Sequence, residues 1–108
     1  MPKKSFNQKI YALLKKVPKG KVTTYKALAE AAGTKAYRAV GQAMRKNPYS
    51  PEVPCHRVVS SDGSIGGFSG SINPKSKEVK RKIRMLRKEG VKIINNKINL
   101  EEFLFEFN

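Results

Sequence analysis

The stretch TYKALAEAAGTKAYRAVGQAMRKNP, residues 24–48, decides the fold of this 108-residue chain. Thr24 can cap a short helix that ends at Gly33, and Thr34 can cap a second helix that runs to about Lys46. Asn47-Pro48 then stops the helical pattern, because the residue before a proline disfavours helical geometry. Two short helices across a glycine-containing turn predict a helix-turn-helix.

The second helix of this unit has two different faces. At helical spacing one face collects residues that we expect in the core, namely Ala36, Val40, Ala43 and Met44. Another face, which we expect to be exposed, carries Arg38, Gln42 and Arg45. A glycine such as Gly41 in a helix interior costs about 1 kcal/mol relative to alanine. A close approach of DNA and a close approach of another helix explain equally well why a glycine occupies this position.

A helix is predicted on each side of this unit. The segment Ser5–Gln8 has the form of a capping box, and an apolar stripe follows it at helical spacing at Phe6, Ile10, Leu13, Leu14 and Val17. Near the C-terminus, Asn73-Pro74 offers a cap and a first-turn proline for a helix that ends at Gly90. Its apolar stripe is predicted at Val79, Ile83 and Leu86.

The other face of this last helix is densely basic. Its cations are Lys80, Arg81, Lys82, Arg84, Arg87 and Lys88. A run of like charges is either a solvated helix face or a surface that faces phosphates, and the sequence alone favours neither.

Two short β-hairpins are predicted. One pairs Val58-Val59 with Ser64-Ile65, and the other pairs residues 91–94 with residues 97–100 around the turn Asn95-Asn96. The apolar end of the chain completes the core with Phe103, Leu104, Phe105 and Phe107. The predicted fold class is therefore mainly α, a winged helix-turn-helix-like arrangement with small β-hairpins, in which residues 1–108 form a single domain.

The charge balance indicates a polyanionic partner. Lysine and arginine total 23 against 8 aspartate and glutamate residues, a formal net charge of +15. So large an excess of one sign on so small a domain favours nucleic acid over mere solubility, and an acidic membrane surface is the other polyanion consistent with it. Because no apolar run approaches the roughly 18 residues that span a bilayer, and no signal peptide is visible, we expect a cytoplasmic protein, or a nuclear one in a eukaryote.

The scarcity of cysteine and histidine excludes two kinds of site. Cys55 is the only cysteine and His56 the only histidine. An internal disulfide is therefore impossible, and the ligands of a structural zinc site are missing. We expect neither a metal nor any other cofactor.

The segment Pro54–Val58 places the only thiol, the only imidazole and a guanidinium side by side. A lone cysteine is more often a small buried hydrophobe than a nucleophile. Positive neighbours such as Arg57, however, lower the pKa of a thiol and favour its reactive thiolate. The residues alone leave both interpretations open.

The segment 54–59 resembles the active-site signature of the methylguanine-DNA methyltransferases, repair proteins that remove alkyl groups from a guanine oxygen. Other blocks are similar to that family and occur in the expected order, at residues 20–25, 38–48, 66–70 and 86–90. The resemblance covers about residues 5–107. It is to the catalytic region only, because the sequence lacks the separate N-terminal domain of many relatives.

The resemblance implies a catalytic group of five residues. Cys55 is the nucleophile, and His56 reaches its thiol through a water because adjacent side chains on an extended backbone point apart. Glu89 orients the imidazole, although an exposed glutamate is the alternative. Tyr25 donates a proton or hydrogen bond to the departing guanine, with core packing as its alternative role. Asn47 braces the site by bonding nearby backbone and the water.

The resemblance also implies the residues that hold the substrate and the duplex. Ser69 donates to the alkylated oxygen, Phe68 forms an apolar wall, Met44 lines the site, and the carbonyls of Cys55 and Val58 accept from the guanine amino group. Phe68 replaces a tyrosine that is frequent in the family, and Ser71 replaces a frequent glycine, which leaves the substrate range open.

For DNA, the resemblance implies binding through the minor groove and flipping of the damaged nucleotide. Arg38 matches the family's intercalating arginine. The small residues Ala36, Ala39 and Gly41 let the helix enter the narrow groove. Arg45 is a candidate phosphate contact, and Thr24 is a further candidate DNA-binding residue.

The sequence therefore predicts a monomer that transfers an alkyl group from 6-O-alkylguanine in double-stranded DNA to Cys55, once and irreversibly, without a membrane partner. One alternative is an alkyltransferase-like sensor that binds the lesion without chemistry, a group that typically carries tryptophan at the cysteine position. The other alternative is a winged-helix DNA-binding regulator.

Overall fold

The computed structural model describes residues 5–49, 52–67, 73 and 75–107. Within them the helices are α1 (Phe6–Leu14), α2 (Tyr25–Ala31), α3 (Tyr37–Arg45), α4 (Lys77–Lys88) and α5 (Leu100–Phe103). A 3₁₀ turn spans Cys55–Arg57, and two short strands, β1 (Thr23–Thr24) and β2 (Val58–Val59), pair with each other. The mainly helical fold class is confirmed. No helix in these ranges is both long enough and apolar enough to cross a membrane.

The first three helices share one apolar core. The predicted capping box begins α1, because the Ser5 hydroxyl accepts from the Gln8 amide at 3.2 Å and the Gln8 side chain accepts from the Ser5 amide at 2.9 Å. Thr24 caps α2 as predicted, with its hydroxyl 3.0 Å from the Ala27 amide. This first cluster is formed by Ile10, Tyr11, Leu14, Val17, Leu28, Ala29, Val40, Ala43, Val53 and Val58. It fixes α3 on the surface of α1 and α2.

Two expectations about α3 are wrong. Thr34 does not cap it, since its hydroxyl bonds the Ala36 amide at 3.1 Å in the preceding turn, and Ala36 itself occupies the cap position without a side-chain bond. Ala36 is consequently exposed rather than in the core. The predicted exposed face is confirmed, and a Cβ at Gly41 would meet no other atom of the described chain within 4 Å. Packing against another helix of those ranges therefore does not explain Gly41.

The strand β2 pairs with β1 and not with residues 64–65. The pairing is parallel and places Thr23 opposite Val58 and Thr24 opposite Val59. Val58 and Val59 are both fully buried, and a strand buried on both faces belongs between two layers rather than in a solvent-exposed hairpin. The predicted turn persists, because the Ser60 amide donates to the Ser64 carbonyl at 2.9 Å.

The C-terminal wing is shorter than predicted. Asn95 and Asn96 have φ values of 52° and 59°, the left-handed geometry of a two-residue hairpin turn, and only Ile94 and Lys97 pair across it. The expected strand over residues 97–100 is wrong because Asn99 caps α5, its side chain accepting from the Glu101 amide at 3.0 Å. Phe103 is buried as predicted, and Phe105 and Phe107 pack against the first cluster.

The helix α4 lies over a second apolar cluster. Ser76 caps it through the Val79 amide at 3.2 Å, whereas Asn73 bonds the Lys75 amide before the helix begins, so the predicted cap at Asn73 is wrong. Pro74 lies outside the described residues. The second cluster contains Val22, Val59, Ile65, Val79, Leu86, Val91, Ile93, Ile98 and Phe103. The strand β2 joins the two clusters, since Val58 belongs to one and Val59 to the other.

The turn at Gly63 gives a test of how the C-terminal segment is held. Its φ is +89°, and a Cβ at this position would lie 2.5 Å from the Ile98 carbonyl oxygen. Gly63→Ala should lower the free energy of unfolding by about 1–2 kcal/mol for the left-handed backbone and by about 1–3 kcal/mol more for the clash. Urea denaturation measures this loss.

Gly33→Ala is the matched control, because Gly33 has a φ of +75° but the methyl carbon of an alanine there would have no neighbouring atom within 4 Å. It should show only the backbone cost. Equal destabilisation by the two substitutions would contradict the packing of Gly63 against Ile98.

Candidate active site around Cys55

Cys55 begins the 3₁₀ turn between α3 and β2 and is a partly exposed, free thiol. The turn is closed by the Arg57 amide, which donates to the Pro54 carbonyl at 2.9 Å, and by the Val58 amide, which donates to the Cys55 carbonyl. The expected extended backbone is therefore wrong here. Cys55 packs, partly exposed, against the first cluster, whereas His56 is buried.

His56 is 1% exposed, and its imidazole is held by Glu89. Its Nε2 lies 3.0 Å from Glu89 Oε2, so the pairing that the resemblance implies is present. Burial lowers the pKa of His56, and the carboxylate of Glu89 opposes this shift. A neutral imidazole beside an acceptor-only carboxylate carries its proton on Nε2. The buried Nδ1 has no hydrogen-bond partner among the described residues, so its lone pair can take a proton.

Glu89 is fixed by Arg57 as well as by His56. Arg57 Nε lies 2.9 Å from Oε1 and Nη2 lies 2.7 Å from Oε2, while Nη1 donates to the Val17 carbonyl at 2.9 Å. Burial alone would raise the pKa of Glu89, but the hydrogen bonds from Arg57 and His56 outweigh it and lower the pKa. The exposed alternative for Glu89 is wrong, because its side chain is only 13% exposed.

Arg57 has a larger role than the influence on the Cys55 thiol that the sequence predicts. In the structure it neutralises a carboxylate at the C-terminal end of α4, where the helix dipole disfavours an anion. The sequence signal for this role is the presence of an arginine within the segment 54–58. Its partner cannot be read from the sequence, since Arg57 and Glu89 lie 32 residues apart.

Tyr25 begins α2 and packs, partly buried, against the same cluster as Cys55. Burial raises the pKa of Tyr25, and the negative charge of a Cys55 thiolate raises it further. Its hydroxyl therefore keeps its proton as a donor close to the thiol. Met44 packs against this cluster too.

Asn47 braces the segment that leads to Cys55. Its Nδ2 donates to the Val53 carbonyl at 2.8 Å, and its Oδ1 accepts from the Tyr49 amide at 2.9 Å. The same Val53 carbonyl accepts from the Cys55 amide at 2.9 Å. One side chain thus ties the end of α3 to the backbone of the cysteine.

Lys82 is a buried part of the site that the sequence interpretation misses. The prediction that it lies on the basic outer face of α4 is wrong, because Lys82 is 0% exposed. Its Nζ donates to the carbonyls of Val58 at 2.7 Å, Ile65 at 2.6 Å and Gly67 at 3.1 Å. Burial lowers the pKa of Lys82 to about 7, and the charge of Cys55 opposes this shift.

A sequence signal for Lys82 exists. The residues Val79, Lys82, Leu86 and Glu89 follow an i, i+3, i+7, i+10 spacing, which is one face of a helix. The other predicted cations of α4, Lys80, Arg81, Arg84, Arg87 and Lys88, are exposed.

The remaining predicted residues fall into three groups. Phe68, Ser69 and Ser71 lie outside the described residues. On α3, Arg38 and Arg45 are exposed, and Ala39 and Gly41 are half-buried. The Thr24 side chain is buried and its hydroxyl is engaged as the cap of α2.

The site lies in a chain with a formal net charge of +15. Within residues 5–49, 52–67, 73 and 75–107, Glu89 is the only carboxylate in an ion pair. The same part of the chain contains no group of three or more His, Cys, Asp or Glu side chains that could hold a metal ion.

The structure is that of a helix-turn-helix protein with a free cysteine at its candidate site, next in the chain to a buried imidazole that pairs with a carboxylate. The profile described as "6-O-methylguanine DNA methyltransferase, DNA binding domain" matches residues 5–91. The chain belongs to this family.

Solved structures agree with this assignment. The chain is 31% identical to S. pombe Atl1 bound to damaged DNA containing O6-carboxymethylguanine, with a TM-score of 0.78 over 99% of this chain and 100% of that one. It is 46% identical to the O6-methylguanine-DNA methyltransferase of Pyrococcus kodakaraensis, with a TM-score of 0.67 over 82% of this chain and 47% of that one.

Among curated relatives, the chain is 44% identical over 89 residues to a methylated-DNA–protein-cysteine methyltransferase of Metallosphaera sedula, covering 82% of this chain and 53% of that protein. It is 42% identical over 97 residues to a bifunctional methyltransferase/endonuclease of Picrophilus torridus, covering 89% of this chain and 30% of that protein. The chain thus spans about half the length, or less, of these relatives.

The pair formed by Arg57 and Glu89 can be tested with a double-mutant cycle of Arg57→Met and Glu89→Gln. Each single change should lower the free energy of unfolding by about 3 kcal/mol, because it leaves a charge or polar group without its partner in a nearly buried place. The double variant should recover part of this loss, with a coupling energy of about 1–3 kcal/mol by urea denaturation at pH 7.

The coupling should depend on pH in one direction. Because the pKa of Glu89 is lower in the folded protein than its ordinary value of 4.5, the coupling is fully present above about pH 4.5 and decreases as the pH falls through the folded-state pKa. Additive single effects at pH 7, or a coupling that grows in acid, would contradict the ion pair.

Proposed function

We propose that this protein repairs DNA by taking the alkyl group from O6-alkylguanine in double-stranded DNA onto Cys55, once per molecule. The observation that carries the proposal is the neutral, buried His56 beside Cys55, held through Nε2 by Glu89 and carrying a free lone pair on Nδ1. The name of the Metallosphaera sedula relative, a methylated-DNA–protein-cysteine methyltransferase, supports the same reaction.

In the proposed step, His56 Nδ1 receives the thiol proton of Cys55 through one water molecule. The electron pair of the resulting thiolate forms a bond to the alkyl carbon, and the bond between that carbon and the guanine oxygen breaks with its electrons left on the guanine. A proton returns to the purine ring, so the products are a thioether and an unmodified guanine. Alignment of sulfur, carbon and leaving oxygen requires an approach of about 3–3.5 Å.

Tyr25 is the proposed donor to the departing guanine, because its hydroxyl stays protonated next to Cys55. We assign the carbonyls of Cys55 and Val58, together with Met44, Phe68 and Ser69, to binding of the flipped base. Asn47 keeps the Cys55 backbone in place for that base through the Val53 carbonyl.

The proposed DNA surface is α3. Arg38 is exposed on it and would fill the place of the flipped nucleotide, while Ala36, Ala39 and Gly41 allow the minor groove to come close. The open space over Gly41 supports a partner outside the chain. Arg45, which is exposed, would contact the phosphates, whereas Thr24 is buried and only caps α2. Residues 1–108 would act as one monomeric unit, in the cytoplasm or nucleus where its DNA lies.

Transfer is tested by incubating the protein with duplex DNA that contains O6-methylguanine and measuring the mass of the intact chain. We expect a gain of one methylene group per molecule, mapped by peptide sequencing to Cys55. The Cys55→Ser variant, which changes a single atom of the side chain and leaves a much weaker nucleophile, should bind the same duplex and gain no mass.

A second candidate function is binding of the lesion without transfer. The observation that favours it is the match to all of S. pombe Atl1, a structure that contains O6-carboxymethylguanine DNA. Tight binding of the methylated duplex by the folded wild-type protein, with no change in mass, would establish this second function and overturn the first.

Arg38 gives a test of base flipping. Arg38→Ala should slow transfer from duplex DNA at least about tenfold, because it removes the side chain that offsets the unstacking cost of a few kcal/mol. Transfer from the free base O6-methylguanine should change less than twofold. Lys9→Ala on α1, which also removes one exposed positive charge, is the control and should leave both rates unchanged. Equal slowing of both substrates by Arg38→Ala would contradict a role in flipping.

A further inference from the structure

The outer face of α4 is a continuous basic stripe. Its exposed cations recur every three or four residues, so they lie along one side of the helix: Lys77, Lys80, Arg81, Arg84, Arg87 and Lys88. Because an α-helix rises by about 1.5 Å per residue, the stripe is about 17 Å long. Glu78 is the only acidic residue within α4.

The charges of this stripe are not balanced by acidic neighbours. In the part of the chain that the structure describes, none of the six cations forms an ion pair, since both ion pairs belong to Glu89. Like charges four residues apart on a helix repel each other, as Lys80 and Arg84 do here. A solvated helix face usually alternates charges of opposite sign at this spacing. The helix α4 does not, and a polyanion on its outer face would relieve the repulsion.

The stripe and the proposed DNA surface on α3 lie over different cores. Val40 and Ala43 of α3 pack in the first cluster, whereas Val79 and Leu86 of α4 pack in the second. Each helix exposes its charged side chains on the face that does not pack against its own cluster. We therefore expect a duplex held on α3 to leave the stripe uncovered.

Duplex DNA fits the stripe better than an acidic membrane does. A helix that binds a membrane surface inserts its apolar face among the lipids. The apolar face of α4 is instead buried in the protein through Val79 and Leu86. A duplex requires only cations, because it carries one negative charge per about 1.7 Å of its axis, so the stripe matches a length that holds roughly ten phosphates.

We propose that the outer face of α4 is a second DNA-binding surface, which binds the phosphates of a duplex segment other than the one that α3 holds. This binding is independent of base sequence and of damage, because contacts to phosphate carry no sequence information. The inference goes beyond the proposed function, since it requires no alkyl transfer. A protein with two such surfaces can contact a second segment before it releases the first.

The number of short duplexes that one protein molecule binds tests this inference. The probe is an undamaged, fluorescent duplex of about 12 base pairs, slightly more than one helical turn, added in excess at low salt. Sedimentation velocity should show two duplexes per wild-type protein at saturation. The triple variant Arg81→Gln, Arg84→Gln and Lys88→Gln removes three charges but keeps good helix formers, and it should bind one duplex.

The matched control is the triple variant Lys9→Gln, Lys15→Gln and Lys16→Gln. It also removes three exposed positive charges, from α1 and the residues that follow it. Because its net charge equals that of the α4 variant, it separates the position of the charges from their number. It should still bind two duplexes.

Binding of one duplex by saturated wild-type protein would overturn the inference, and binding of phosphatidylserine vesicles by that protein would assign the stripe to a membrane instead. Two duplexes on the folded α4 variant would overturn it as well. So would complete loss of duplex binding by that variant, because α4 would then belong to one shared surface.

If the α4 triple variant does not fold, as judged by circular dichroism, Arg84→Gln alone decides. It should weaken binding of the second duplex at least threefold and leave binding of the first within twofold. Equal weakening of both, or of neither, would contradict a separate surface. Absence of methyl transfer by the wild-type protein would contradict the proposed function without changing the number of bound duplexes, so the two failures are distinguishable.

Discussion

The buried carboxylate of Glu89 is the constraint on which the site depends. It lies at the C-terminal end of α4, where the helix dipole is unfavourable to it, and two bonds from Arg57 and one from His56 hold it there. Arg57 also reaches the Val17 carbonyl after α1. One negative charge therefore orients the imidazole and connects the first helix, the cysteine turn and α4. This carboxylate is one of only 8 acidic residues in a chain that has 23 lysine and arginine residues and a formal net charge of +15.

The helix α4 carries charged residues on both its outer and its inner face, and the two faces have different environments. Its outer face carries exposed cations that are available to a polyanion. Its inner face carries Lys82, which bonds the Val58 carbonyl just after the cysteine turn, and Glu89, which bonds His56 within that turn. The exposed cations of α4 can attract a polyanion from a distance, and its buried charged residues hold the backbone around the cysteine turn by direct bonds. Only the inner pair needs accurate placement, because exposed charges act through a solvent that screens and averages them.

Local patterns could be predicted from the sequence, and pairings between distant residues could not. The capping box at Ser5, the cap at Thr24 and the exposed face of α3 follow from neighbours within one or two helical turns. The partner of β2 could not be read in this way, since a short apolar strand pairs with whichever edge is buried beside it. Lys82 is misplaced by the rule that charged residues are exposed, although its spacing places it with Val79 and Leu86.

The resemblance to a family predicts most of the site residues around Cys55. The structure adds the hydrogen bonds by which these residues hold one another in place. The two-residue strand β2 connects the two apolar clusters. Val58 belongs to the first cluster, which α1, α2 and α3 share, and Val59 belongs to the second cluster beneath α4, so the cysteine turn leads into a strand that joins the two clusters. A displacement of one cluster relative to the other would therefore act on β2, which begins three residues after the thiol.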